Sequence, residues 1–138
     1  MTKYILFILF VLNLSNCEKE EKVSIFEVIV NQGKNNEFNV KAGEEFALKL
    51  SCSAGKKSTW VLLNRKEIQE SLTFIKSDYE IVHYEGEELG LGRKGYLIYH
   101  FKASSVTKEP ILIKFADAYT YLQQENPTPD EIVKINVN

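Results

Sequence analysis

Phe46-Ala-Leu-Lys-Leu-Ser-Cys52 decides the fold class. Phe46, Leu48, Leu50 and Cys52 alternate with Ala47, Lys49 and Ser51. Successive side chains of a strand point to opposite faces, so this stretch is a β-strand with one buried face. Val133, Ile135 and Val137 repeat the pattern around Lys134 and Asn136. Ile111-Leu-Ile-Lys-Phe115 and Tyr96-Leu-Ile-Tyr-His-Phe101 are β-branched and aromatic runs of strand length. Ile25–Val30, Phe38–Val40, Trp60–Leu63, Thr73–Ile75 and Tyr79–Tyr84 complete the set. Turn signals separate them: Asn31-Gln-Gly33, Ala42-Gly43, Ala54-Gly55, Gly90-Leu-Gly92 and Asn126-Pro127. Only Asn64–Leu72 carries helical spacing, through Leu63, Ile68 and Leu72. Short strands at regular spacing predict a single all-β domain, an antiparallel β-sandwich over residues 25–138.

The 138-residue chain is long enough for one such core, and 44% hydrophobic residues are enough to fill it. Lys and Arg number 17 against 19 Asp and Glu, interspersed, which leaves no basic footprint for nucleic acid. Three Pro and seven Gly exclude a low-complexity chain. Two cysteines cannot build a disulfide scaffold, and two histidines supply no metal-ligand pattern, so no metal and no cofactor is expected.

The first residues are not part of the sandwich. Lys3, an apolar run from Tyr4 to Leu12 and a switch to Glu18-Lys-Glu-Glu-Lys22 describe a signal peptide over residues 1–17. The run is far shorter than the about twenty residues of a membrane-spanning helix. Leu14-Ser-Asn-Cys17 resembles a bacterial lipobox, with Asn16 where a smaller residue is usual. Cys17 is therefore the lipidation candidate, and residues 18–24 form a charged tether. The other reading is an ordinary cleaved signal with a bystander cysteine. Both place the domain outside the cytoplasm, lipid-anchored to a membrane or secreted or vesicular. Without Lys3 the mature chain has 16 cations against 19 carboxylates, and Cys52 reads as a small buried hydrophobe on its strand.

Catalytic patterns are scarce. His83 and His100 fall inside strands with no nearby Cys, Ser or carboxylate in a recognisable catalytic pattern, and Asp117 stands alone in its loop. Glu85, Glu87 and Glu88 are a loop charge cluster. Gly90-Leu-Gly92 leads into a strand and not a helix, so it is no phosphate cradle. The chain is expected not to be an enzyme, and its function should lie in loops at one end of the sandwich.

Three loops stand out. The first is Ser53-Ala-Gly-Lys-Lys-Ser-Thr59, which ends at Trp60; the second is centred on Leu89-Gly-Leu-Gly-Arg93; the third contains Asp117-Ala-Tyr119. In that order they resemble the chagasin family of cysteine protease inhibitors, from about Phe38 to the C-terminus. Around its first loop that family reads Leu, two variable residues, Asn-Pro-Thr-Thr-Gly, an aromatic, one residue and Trp. Leu50-Ser-Cys-Ser-Ala-Gly-Lys-Lys-Ser-Thr-Trp60 keeps the frame and replaces the centre with Ser53, Ala54, Gly55, Lys56 and Lys57. The family's Leu-Gly-x-Gly-Gly survives as Leu89, Gly90, Leu91, Gly92 and Arg93, with the Lys-Ala of its next strand at Lys102-Ala103. For the family's Arg-Pro-Trp the chain has Asp117, Ala118 and Tyr119, which keeps only an aromatic. Asn126-Pro-Thr-Pro129 echoes the first-loop motif in the wrong place and reads as a turn.

The resemblance implies an immunoglobulin-like sandwich acting as a monomer. Its three loops would plug the cleft of a papain-like cysteine protease reversibly, with the membrane reached only through an N-terminal lipid. Small residues at 53–55, 90 and 92 would let backbone approach closely; Tyr119 would be an aromatic anchor; Lys56, Lys57 and Arg93 would favour an acidic cleft. The alternative is an extracytoplasmic, envelope-anchored sandwich that binds another partner without inhibitory activity. Individual residues also have plainer readings: Trp60 as core, Lys56-Lys57 as a solvated loop, Gly90 and Gly92 as turn residues. Tyr119 and Tyr121 divide between core edge and binding surface.

Overall fold

A computed structural model describes residues 25–53, 59–82 and 94–138. Its strands are β1 (Phe26–Val30), β2 (Asn36–Val40), β3 (Glu45–Ser53), β4 (Trp60–Leu62), β5 (Leu72–Ile81), β6 (Lys94–Ala103), β7 (Ile111–Asp117) and β8 (Glu131–Val137). The short helices α1 (Arg65–Ile68) and α2 (Ala118–Gln123) follow β4 and β7. One sheet has the order β1-β3-β6-β5 and the other β2-β8-β7-β4.

The period-two reading of β3 holds: Phe46, Leu48 and Leu50 are buried on its inner face, and Lys49 lies outside. Val133, Ile135 and Val137 do the same for β8, and Ile113 and Phe115 for β7. Each such side chain contributes roughly 1.5–3 kcal/mol of transfer free energy. Phe46 stacks on Phe101 at 5.6 Å within the first sheet, and Tyr99 reaches Phe115 of the second at 5.1 Å. The Tyr99 hydroxyl also donates to Trp60 O at 2.7 Å. These contacts bind the two sheets into one sandwich core.

Several details differ from the sequence reading. The sheets are mixed, because β1 runs parallel to β3 and β2 parallel to β8, while the other pairs are antiparallel. Thr73–Ile75 and Tyr79–Ile81 belong to one strand, β5, interrupted by a bulge between Phe74 and Lys76. The extra residue resets the alternation, so one strand reads as two. Asn64–Leu72 yields only the four residues of α1 before β5 begins. The third loop is not a loop at its start: α2 occupies residues 118–123. His83 and Tyr84, the signal segment, the tether and Cys17 lie outside the described residues.

Successive strands run in alternate directions, which sorts the connections onto two poles. The strand ends that flank 31–35, 54–59, 82–93 and 118–130 lie at one pole. The connections 41–44, 63–71 and 104–110, together with Ile25 and Asn138, lie at the other.

Candidate functional site

The three loops singled out in the sequence all spring from the first of these poles. In the first sheet, Ser53 pairs with Lys94 and Ile81 with Gly95, which sets the roots of the first and second loops side by side. In the second sheet, Trp60 pairs with Asp117, which joins the exit of the first loop to the start of the third.

Trp60 is the bracket between them. Its ring is 8% exposed and belongs to the core, while its indole N–H donates to Ser51 O at 3.0 Å. The two ends of the first loop are thus tied across the gap between the sheets, and the Trp60 side chain is a support for that loop. Thr59 is exposed, and its carbonyl accepts the Ala118 N–H at 2.8 Å. Ser53 ends β3 by its backbone. Ala54, Gly55, Lys56, Lys57 and Ser58 lie outside the described residues.

Leu89, Gly90, Leu91, Gly92 and Arg93 of the second loop also lie outside the described residues. Its root carries a residue that the sequence reading passed over. A Cβ on Gly95 would meet Glu80 O at 2.6 Å and the Tyr79 hydroxyl at 2.7 Å, so only glycine fits. The Tyr79 hydroxyl also lies beside the Cys52 thiol, whose pKa burial raises above the ordinary thiol value. A raised pKa keeps the sulfur protonated, the opposite of what a nucleophile needs. His100 is buried on the outer face of the first sheet, 3.0 Å from Asp78 through Nε2 but poorly aligned, so among the described residues neither ring nitrogen has a hydrogen-bond partner. It is remote in register from Cys52, which pairs with Gly95. Among the described residues, no group of three His, Cys, Asp or Glu gathers as a metal site would require.

The third element is built on Asp117. Its carboxylate accepts the Tyr119 N–H at 2.8 Å as a helix N-cap, and its own N–H donates to Asp130 Oδ2 at 2.8 Å. Capping and the Ala118–Thr59 bond hold α2 where its own length would not. Ala118 is half-buried, whereas Tyr119 is 69% and Leu122 78% exposed, and Tyr121 is exposed as well. The sequence reading included Tyr119 and missed Leu122, because neither helix nor exposure can be inferred from Ala118-Tyr-Thr-Tyr-Leu122. Asn126-Pro127 lies between α2 and β8, where a turn was expected.

The pole also holds a fourth connection, Asn31–Asn35, every residue of which is exposed. Gln32 reaches Ser51 O at 3.3 Å, the carbonyl that also accepts the Trp60 indole. Sequence reading treated this segment only as a turn.

No protein-family model matches the chain, and no curated protein matches it. Among solved structures it is similar to the crystal structure of the cysteine protease inhibitor EhICP2 from Entamoeba histolytica, with a TM-score of 0.56 and 9% identity over 82% of this chain and 93% of that one. Weaker likenesses are to the solution structure of Amebosin, with TM-score 0.46, 14% identity and 83% and 98% coverage. PbICP-C, solved in complex with falcipain-2, gives TM-score 0.46 and 20% identity over 82% and 99% of the chains. The likeness to EhICP2 is one of fold, the chagasin-like β-sandwich.

Proposed function

We propose that this chagasin-like sandwich is a reversible, non-covalent inhibitor of papain-like cysteine proteases. The observation that carries the reading is that the roots of three connections lie at one pole, tied together by strand pairing, by Trp60 and by the Thr59–Ala118 bond. A rigid base with short roots lets loops enter a cleft without losing much conformational freedom on binding. The fold shared with a cysteine protease inhibitor, and the loop frame kept from Leu50 to Trp60 and from Leu89 to Arg93, support the same function.

In this mechanism the small residues of the first two loops admit backbone to the cleft. Tyr119, with Tyr121 and Leu122 behind it, supplies exposed apolar surface along the cleft wall. No peptide bond of the inhibitor is presented in line with the catalytic thiol, so the protease is blocked and the inhibitor is not cleaved. Signal and lipobox features in the sequence support an activity outside the cytoplasm, with Cys17 as the lipid attachment or with the chain secreted. Mass spectrometry of the membrane fraction tests the lipid: an unmodified N-terminus beyond Cys17 excludes it.

The decisive test is inhibition of papain and cathepsin-like enzymes by the purified protein. Tight inhibition that is reversed on dilution is expected, and none at micromolar protein overturns the reading. One observation favours a second reading, an extracytoplasmic sandwich that binds a different protein: α2 stands where an Arg-Pro-Trp loop would be. Gly90→Trp and a paired Lys56→Glu, Lys57→Glu change separate the two, since a protease wedge loses inhibition with either.

A further inference from the structure

The exposed turn Asn31–Asn35 is held more firmly than a chain reversal requires. Asn36, 2% exposed, spends its whole amide on it: Oδ1 accepts from Asn31 N at 2.9 Å, and Nδ2 donates to Asn31 O and Lys34 O at 3.0 Å each. Glu131, 7% exposed and distant in sequence, accepts from Gly33 N at 2.8 Å. Gly33 itself sits at φ +71°, where a side chain would be strained.

The opposite pole offers a control within the same molecule. The turn 41–44 reverses the chain between β2 and β3 with a half-buried Glu44, whose Oε2 accepts from Lys41 N at 2.8 Å, with Gly43 at φ +84° and with backbone bonds. Among the described residues it engages no buried side chain of this kind. Burying amide and carboxylate groups is unfavourable unless they are bonded, so two such groups committed to an exposed turn fix its shape in advance. Fixing an exposed shape in advance aids binding, because less freedom is lost when a partner docks.

Position points the same way. β1 and β2 are edge strands of the two sheets, so their turn lies on the flank of the loop pole, between the roots of the first and third elements. Its exposed groups are the Lys34 ammonium and the side-chain amides of Asn31, Gln32 and Asn35. The ammonium, the one charge among them, calls for a carboxylate opposite.

We infer that Asn31–Asn35 is a fourth contact element, resting on a carboxylate-bearing rim beside the protease cleft that the three loops enter. This rests on the inhibitor reading. The test compares Lys34→Glu with Lys108→Glu, a charge reversal at an exposed residue of the far pole. Inhibition constants and association rates are measured against papain and a cathepsin-like enzyme at low and high salt. Lys34→Glu is expected to weaken inhibition about tenfold, chiefly through slower association, with the difference shrinking at high salt. Lys108→Glu is expected to match the parent. If the parent inhibits and both variants equal it, the fourth contact is overturned and the inhibitor reading stands. If the parent inhibits nothing, both fall.

Discussion

The two poles of the sandwich each contain a buried asparagine that holds an irregular segment. At the loop pole Asn36 clasps the turn 31–35 through three bonds. At the far pole Asn64, 7% exposed, accepts the Lys114 N–H at 2.9 Å and donates to Leu112 O at 2.7 Å and to Glu67. The chemistry is the same, a side-chain amide bonded to backbone, yet the segments differ. Asn64 ties β4 and α1 to β7, one structural element to another. Asn36 ties down a turn whose side chains face solvent. The same hydrogen bonding can therefore hold a structural frame at one pole and an exposed turn at the other.

The largest expected effect falls at the root of the second loop. Gly95→Val drives a side chain into Glu80 O, which is backbone and cannot swing aside. A loss of about 3 kcal/mol is expected, near the upper end for overpacking. Chemical denaturation measures it, and a loss under about 1 kcal/mol would show that the strands part without strain. Next come Asn36→Ala and Asn64→Ala. Each leaves partly buried backbone groups without their side-chain partner and should cost roughly 1–2 kcal/mol. Only Asn36→Ala should also weaken protease inhibition at a temperature where both variants are folded; equal inhibition by the two would erase the contrast between the poles. Trp60→Phe is milder. It keeps the core ring and removes one hydrogen bond, to Ser51 O, at about 1 kcal/mol. Inhibition should fall further than stability, because the first loop loses its bracket.

The smallest effect is electrostatic. Asn64 is the leading cause, ahead of Lys114, that holds the exposed Glu67 carboxyl below its ordinary range. A depressed folded-state pKa means the unfolded chain binds more protons. The contribution is present above the ordinary glutamate pKa of about 4.3 and is lost as pH falls through the lower folded value. Asn64→Ala should therefore flatten the acid limb of stability measured between about pH 5 and 2. An unchanged limb would mean that Lys114 alone sets the Glu67 pKa. Lys49 works in the opposite sense. Its pKa is raised by Glu27 and then Glu80, so its contribution is present below about pH 10.4 and lost as pH rises through the folded value.

Which parts of this architecture could be read from sequence follows from how far each feature reaches along the chain. Phe46 to Cys52 announces its strand because alternation is local, and the same holds for Val133 to Val137. The parallel pairing of β1 with β3 is invisible, since alternation says which side chains turn inward and not which strand lies alongside. The bulge at Ile75 defeats period-two reading by shifting its phase. α2 is hidden because Tyr119, Thr120 and Tyr121 are modest helix formers; the Asp117 cap and the carbonyl of Thr59 decide the matter. The frame of the first loop, Leu50 to Trp60, was readable, while the role of Trp60 as its bracket required Ser51 to be seen across the gap. The turn 31–35 was least accessible, because its anchor Glu131 is 98 residues from Gly33.

Ile25 and Asn138 both lie at the pole away from the loops. If Cys17 is the attachment, residues 18–24 reach at most about 25 Å when extended, and a strand of nine residues such as β3 adds about 30 Å. In that proposal the domain would stand as a short mast, with the proposed contact surface uppermost and within roughly 55 Å of the bilayer. Soluble proteases arriving at the surface would meet that end first, while an enzyme on a taller stalk would pass overhead.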